Sequence, residues 1–173
     1  ARETQRNRKK IVRFKKSDKM STYLFSFVAG RFIKIKAVLD GLEMTMLHRE
    51  PDTEKVNRNL KEIFSLHKDS INYMENYTGI KFPFQKFGFV LIPDFQFGGM
   101  EHIGAIQYRA ASLMLDENPS TTDLLSRASL IGHETSHMWF GDLVTMDWFD
   151  DVWTKEVFAN FFAAKMIYPN FPG

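Results

Sequence analysis

Residues 129–140 read SLIGHETSHMWF, and the five letters at 133–137, HETSH, decide how the rest of the chain is read. On a helix, positions i and i+4 lie one above the other on the same face. His133 and His137 would then offer two imidazole nitrogens to one metal ion. Glu134 sits one residue on from His133, beside the metal and not on it, where a base that activates water belongs. H-E-x-x-H arises by accident on the order of once in a hundred chains of this composition, so its surroundings have to support it. A polar stretch from Asp116 to Thr122, with Asn118, Pro119 and Ser120 as turn residues, precedes it. A helix is expected over 123–140 and a second over 152–168, with Gly141 breaking the pair. A catalytic zinc takes three protein ligands and keeps one position open. Glu156, which follows His137 with eighteen residues between in the run WTKEVFANFF, is the candidate third ligand if the second helix folds back on the first.

Upstream, residues 104–115 suggest one more strand or a pair, and 85–92 (QKFGFVLI) a buried strand that stops at Pro93. Over 54–77 the period changes. Val56, Leu60, Ile63, Phe64, His67, Ile71 and Met74 recur at three and four, the face of an amphipathic helix, with Pro51 and Asp52 as start signals and Gly79 as a stop. His67 on that face is expected to be a satisfied core residue and not a ligand. Residues 42–48 suggest a strand, and 20–39, rich in β-branched and aromatic residues around Gly30, two short strands. The order of strands, helix, strands, helix, helix predicts an α+β fold.

The 173 residues are 44% apolar, enough for a real core in one domain of ordinary size. A net charge of +2 gives no reason to expect a nucleic-acid partner, although residues 1–16 are dominated by Arg and Lys and are expected to be a solvated loop or strand edge. No apolar run reaches the ~18 residues of a membrane span. Cys is absent, so any metal must be held by His and carboxylates. Compartment stays open.

His133, Glu134, His137 and Glu156 together resemble the H-E-x-x-H-x18-E pattern of the gluzincin metallopeptidases, in particular the M1 zinc aminopeptidases. PDFQFGGMEHIG at 93–104 is similar to that family's exopeptidase motif. KMSTYLFSFVAGRF at 19–32 resembles the strand that closes its N-terminal β domain, and HMWFGDLVTMDWFDDVWTKEVFA at 137–159 follows its metal-helix sequence closely. The resemblance implies the first half of a thermolysin-like zinc peptidase domain over 37–173, truncated and preceded at 1–36 by the end of the β domain and its link. It implies one Zn2+ per site, held by His133, His137 and Glu156, with Glu134 as general base. It also implies that Glu101 binds the free α-amine of a peptide, that Gly98 and Gly99 let the peptide backbone pair with a strand edge, and that His102 touches the first substrate residue. Tyr108 and Arg109 match its Tyr-Arg, in a packing or a direct role.

Some positions depart from the pattern. His102 stands for the family's usual Asn, and Lys155 and Val157 for its Asn and Gly. The family's oxyanion-stabilising Tyr falls roughly sixty residues past the third ligand by analogy, so the rest of the enzyme is expected C-terminal to Gly173. The implied activity is aminopeptidase hydrolysis of peptides with a free N-terminus. An M1-like epoxide hydrolase or other peptidase, and an inactive interaction module with a peptidase fold, are the alternatives.

Overall fold

The computed structural model of the chain describes residues 2–168. The basic N-terminus is an antiparallel hairpin, β1 (Arg2–Arg6) and β2 (Lys9–Arg13), in which only Val12 is even partly buried. The remaining strands form one mixed five-stranded sheet: β3 (Ile33–Leu39), β4 (Leu42–His48), β5 (Phe87–Ile92), β6 (Gly99–Met100) and β7 (Ile106–Arg109). Their spatial order is β3-β4-β5-β7-β6. The central pairs β4–β5 and β5–β7 are parallel, and the two outer pairs antiparallel. Among the described residues four α-helices complete the α+β pattern: α1 (Thr53–Thr78), α2 (Ala110–Leu113), α3 (Thr121–His137) and α4 (Val152–Ile167).

Alternation in β4 buries Met44, Met46 and His48, whereas β5 is buried almost throughout, as a strand flanked on both sides by parallel partners should be. The apolar stripe of α1 lies in the same core. Ile63, Phe64, Ile71 and Met74 join Phe87, Phe89, Leu91, Ile106 and Tyr108, each such side chain gaining about 1.5–3 kcal/mol from burial. Asp52 caps α1 by accepting from the backbone N–H of Glu54 (2.9 Å) and Lys55 (3.1 Å), and Gly79 ends it in the left-handed region at φ 70°. His67 is fully buried. Its Nδ1–H donates to the Ile63 carbonyl (2.8 Å), and its Nε2 accepts from the Tyr108 hydroxyl (3.1 Å).

Ser120 and Asp123 form a reciprocal capping box that starts α3. A buried polar cluster then fixes α3 against α1. The Asn59 amide donates to the Leu115 carbonyl (2.8 Å), and its oxygen accepts from Arg127 (2.7 Å) and from the Leu115 N–H (3.2 Å).

Three expectations need correcting. Residues 20–39 hold one strand, not two. Residues 20–32 contain only a 3-10 turn at Thr22–Leu24, because Phe25 and Phe27 are exposed and the segment has no partner strand among the described residues. Residues 104–115 form the short strand β7 and then α2, so the apolar run at 110–113 is helical. Helix α3 starts at Thr121 and stops at His137, and Met138–Phe140 turn back in i→i+3 and i→i+4 bonds instead of extending it. Pro169 and Asn170, beyond the second helix, lie outside the described residues.

Candidate active site

Helices α3 and α4 cross where side chains are small. A Cβ on Gly132 would lie 3.4 Å from the Ala163 Cα and 3.4 Å from the Met166 sulfur, and Ala159 and Ala163 are buried beside it. That close approach sets Glu156 of α4 opposite His133 and His137 of α3. The two imidazole Nε2 atoms are 3.0 Å apart. Glu156 Oε2 is 3.3 Å from the first and 3.6 Å from the second.

The outer ring nitrogens are already used. His133 Nδ1–H donates to the Asn160 side-chain oxygen (3.0 Å), and His137 Nδ1–H to the Phe140 carbonyl (3.0 Å). In that tautomer both Nε2 atoms carry lone pairs, aimed at one another and at a carboxylate oxygen. Three acceptors converging this way are a donor set for a cation. With metal–nitrogen bonds of ~2.0–2.1 Å, tetrahedral ligands on one zinc sit about 3.3 Å apart, close to the three spacings seen. The residues fit the metal that the sequence implies. His133, His137 and Glu156 bring their ligand atoms within 4.8 Å of one another. When a proton and not a metal sits on the Nε2 atoms, hydrogen bonds from His133 and then His137 hold the Glu156 carboxyl well below the usual carboxylate range.

Glu134, also on α3, turns toward the sheet edge and is 4% exposed. A Cβ on Gly99 would come within 2.6 Å of its Cδ, so only glycine leaves room for this carboxylate against β6. Its Oε2 has no hydrogen-bond partner among the described residues. Burial, reinforced by the negative charges of Glu101 and Glu156, raises its pKa well above the ordinary value. Gly98, Gly99, Leu130, His133 and Glu134 line an open groove of about 560 Å³ between β6 and α3.

Glu101 follows β6 directly and is 2% exposed. One of its oxygens lies within 4.8 Å of ligand atoms of Glu134 and His137. It is ion-paired to Lys155, whose ammonium also lies 3.1 Å from Glu156 Oε1. Burial works to lower the Lys155 pKa, but the bond to Glu101 outweighs it and holds that pKa above the usual lysine value. His102 donates from Nδ1 to the Leu24 carbonyl (3.0 Å), so it anchors the 22–24 turn to the site. Arg109 holds the loop before β6 through the Phe95 and Gln96 carbonyls, both at 2.9 Å.

Sequence reasoning missed three nearby groups. Asn160 lies four residues after Glu156, and that spacing on α4 was the signal available. Tyr23 comes from a distant segment, with Lys155 Nζ 5.1 Å from its ring centroid. Asp142 is buried with neither oxygen hydrogen-bonded among the described residues, and burial followed by the charge of Glu101 pushes its pKa up to about 9.

An H-E-x-x-H helix facing a carboxylate on the next helix defines the metallopeptidase class of site. Residues 63–172 match the model of the peptidase family M1 domain, and this chain belongs to peptidase family M1. It is 41% identical to a probable aminopeptidase 2 of Sulfurisphaera tokodaii over 92% of the chain and 20% of that protein. It is 34% identical to a leucyl aminopeptidase of Saccharolobus solfataricus over 99% of the chain and 21% of that protein. For a puromycin-sensitive aminopeptidase of Caenorhabditis elegans the identity is 36%, over 98% of the chain and 18% of that protein. The chain thus spans about a fifth of the length of these relatives. Among the described residues, no helix is long and apolar enough to cross a membrane.

Proposed function

We propose that the full-length protein is a zinc-dependent aminopeptidase that removes N-terminal residues from peptides. The observation that carries this reading is the convergence of the two Nε2 atoms and the Glu156 carboxylate, with an unpartnered Glu134 oxygen beside them. His133, His137 and Glu156 would hold one zinc ion. When bound, zinc supplies Lewis acidity for the scissile carbonyl and for the attacking water. Glu134, with an oxygen free beside the three ligands, would take a proton from the water as it attacks and return it to the leaving amine. β6 is the edge strand of the sheet, so Gly98 and Gly99 offer an extended peptide a backbone to pair with along the groove. Glu101, at the end of that strand, would receive the peptide's free ammonium and fix the cut one residue in. His102 contributes by steadying the first subsite through the 22–24 turn.

In the same proposal the sheet and helices are the beginning of a thermolysin-like catalytic domain, assigned to 37–173, and 1–36 are the end of an N-terminal β domain and its link. β3 begins at Ile33, four residues before that boundary.

The test is Glu134→Gln in the full-length protein, assayed on aminoacyl-nitroanilides. Zinc content should be unchanged and kcat should fall by about 10²–10⁴-fold. A variant that turns over at the wild-type rate rules out Glu134 as the base.

A further inference from the structure

The carboxylate proposed to receive a substrate amine already holds an ammonium. Lys155 Nζ is ion-paired to Glu101 Oε1 and sits 3.1 Å from Glu156 Oε1. It also lies 5.1 Å from the centroid of the Tyr23 ring. The two side chains are nearly closed to solvent, at 7% exposure for Lys155 and 3% for Glu101. A primary ammonium needs an anionic acceptor, and the face of an aromatic ring strengthens its binding. Glu101 and Tyr23 supply both, and the chain itself fills the position. Lys155 is placed there by α4, one residue before Glu156, so the contact follows from the same helix packing that assembles the proposed metal ligands. The 22–24 turn that carries Tyr23 is held down by the bond from His102 to the Leu24 carbonyl. The enclosure is therefore built by three separate segments.

We infer that Lys155 is a specificity-determining residue, an internal ammonium that shares Glu101 with the substrate and so reduces the enzyme's preference for a free over a blocked N-terminus. The inference rests on the aminopeptidase reading of Glu101. A substrate amine entering this subsite must displace Lys155 from a dry carboxylate. It then gains only the difference between two similar ion pairs, and not the whole of one. A substrate lacking the amine leaves the Lys155–Glu101 pair intact and pays no penalty for an unpaired buried charge. The site consequently gains less from a free amine than an unoccupied Glu101 would give it.

The test compares the zinc-loaded full-length protein with Lys155→Gln and Lys155→Arg. Gln is neutral but still donates toward Glu156, and Arg keeps the charge. Zinc content is measured for all three. The readout is calorimetric binding of leucine hydroxamate against its N-acetyl derivative, with kcat/KM for matched free and N-acetylated peptides beside it. The wild type and Lys155→Arg should favour the free amine by less than about ten-fold. Lys155→Gln should raise that preference roughly ten- to a hundred-fold, the worth of one charge-assisted hydrogen bond. Adding Glu101→Gln to Lys155→Gln should abolish the gain. An unchanged or smaller preference in Lys155→Gln, with zinc retained, overturns the inference and leaves the aminopeptidase reading standing. If neither protein favours the free amine, both fail. Should Lys155→Gln fold poorly, Glu101→Gln in the wild-type background decides. It should cost less than about ten-fold on free peptides, and a hundred-fold loss would mean that Glu101 is fully available and that Lys155 does not compete.

Discussion

His67 illustrates how one residue's surroundings fix its chemistry. It stacks on Phe89 at 4.2 Å between ring centroids and meets the edges of Phe87 and Tyr108. In the neutral form both its ring nitrogens are satisfied, one donating to the Ile63 carbonyl and the other accepting from the Tyr108 hydroxyl. Burial lowers its pKa from 6.5 to about 4, although the bond to the Ile63 carbonyl opposes the shift. The folded pKa lies below the unfolded one, so the native state binds fewer protons between these values. The corresponding stability is complete above pH 6.5 and is lost as pH falls through 4, a loss of roughly 3 kcal/mol. Denaturant unfolding of the chain at a series of pH values should show it. His67→Gln, which keeps a hydrogen-bonding group, should flatten the slope between pH 6.5 and 4. An equally steep slope in the variant would place the acid sensitivity elsewhere.

At the scale of elements, the crossing of α3 and α4 positions the proposed metal ligands, and Gly132 sits at its tightest point. Alanine there meets Ala163 at ordinary van der Waals distance and adds helix propensity, so Gly132→Ala should alter stability by less than about 1 kcal/mol. Gly132→Leu has no space, and overpacking should cost about 1–3 kcal/mol. It should also weaken zinc binding, because the helices separate and Glu156 retreats from His133 and His137. Denaturation midpoints with a zinc titration would check both effects, and a Leu variant as stable as the wild type would contradict the close approach. The elements were unevenly legible in the sequence. A three-and-four period over 54–77 found α1 to within a residue at each end, since an amphipathic stripe of that length has no other use. The aromatic run at 20–32 misled because strand propensity reflects packing against neighbours, and there Leu24 is buried while Phe25 and Phe27 are not. β6 was implied only by the family resemblance at Gly98 and Gly99, because two residues carry no period.

For the whole molecule, the residues that matter most to the proposed chemistry come from distant parts of the chain: Tyr23, Glu101, His133 and Lys155. His133, Glu134, His137 and Glu156 could be read as one group because helical spacing links the first three and a known pattern supplies the fourth. The pairing of Lys155 with Glu101, 54 residues apart, has no local signature and emerges only when α4 is laid against the end of β6. The outer face of α4 leaves Trp153, Val157, Phe158 and Phe161 exposed, a band of apolar surface beside Glu156. On the proposed function, two imidazoles and one carboxylate on these two helices hold a single zinc ion. The most direct test is the zinc stoichiometry of the purified full-length protein by elemental analysis, beside His133→Ala, His137→Ala and the double variant. One zinc per chain is expected in the wild type, with loss in each variant once weakly held metal has been dialysed away. One zinc per chain retained by the double variant would rule out His133 and His137 as ligands.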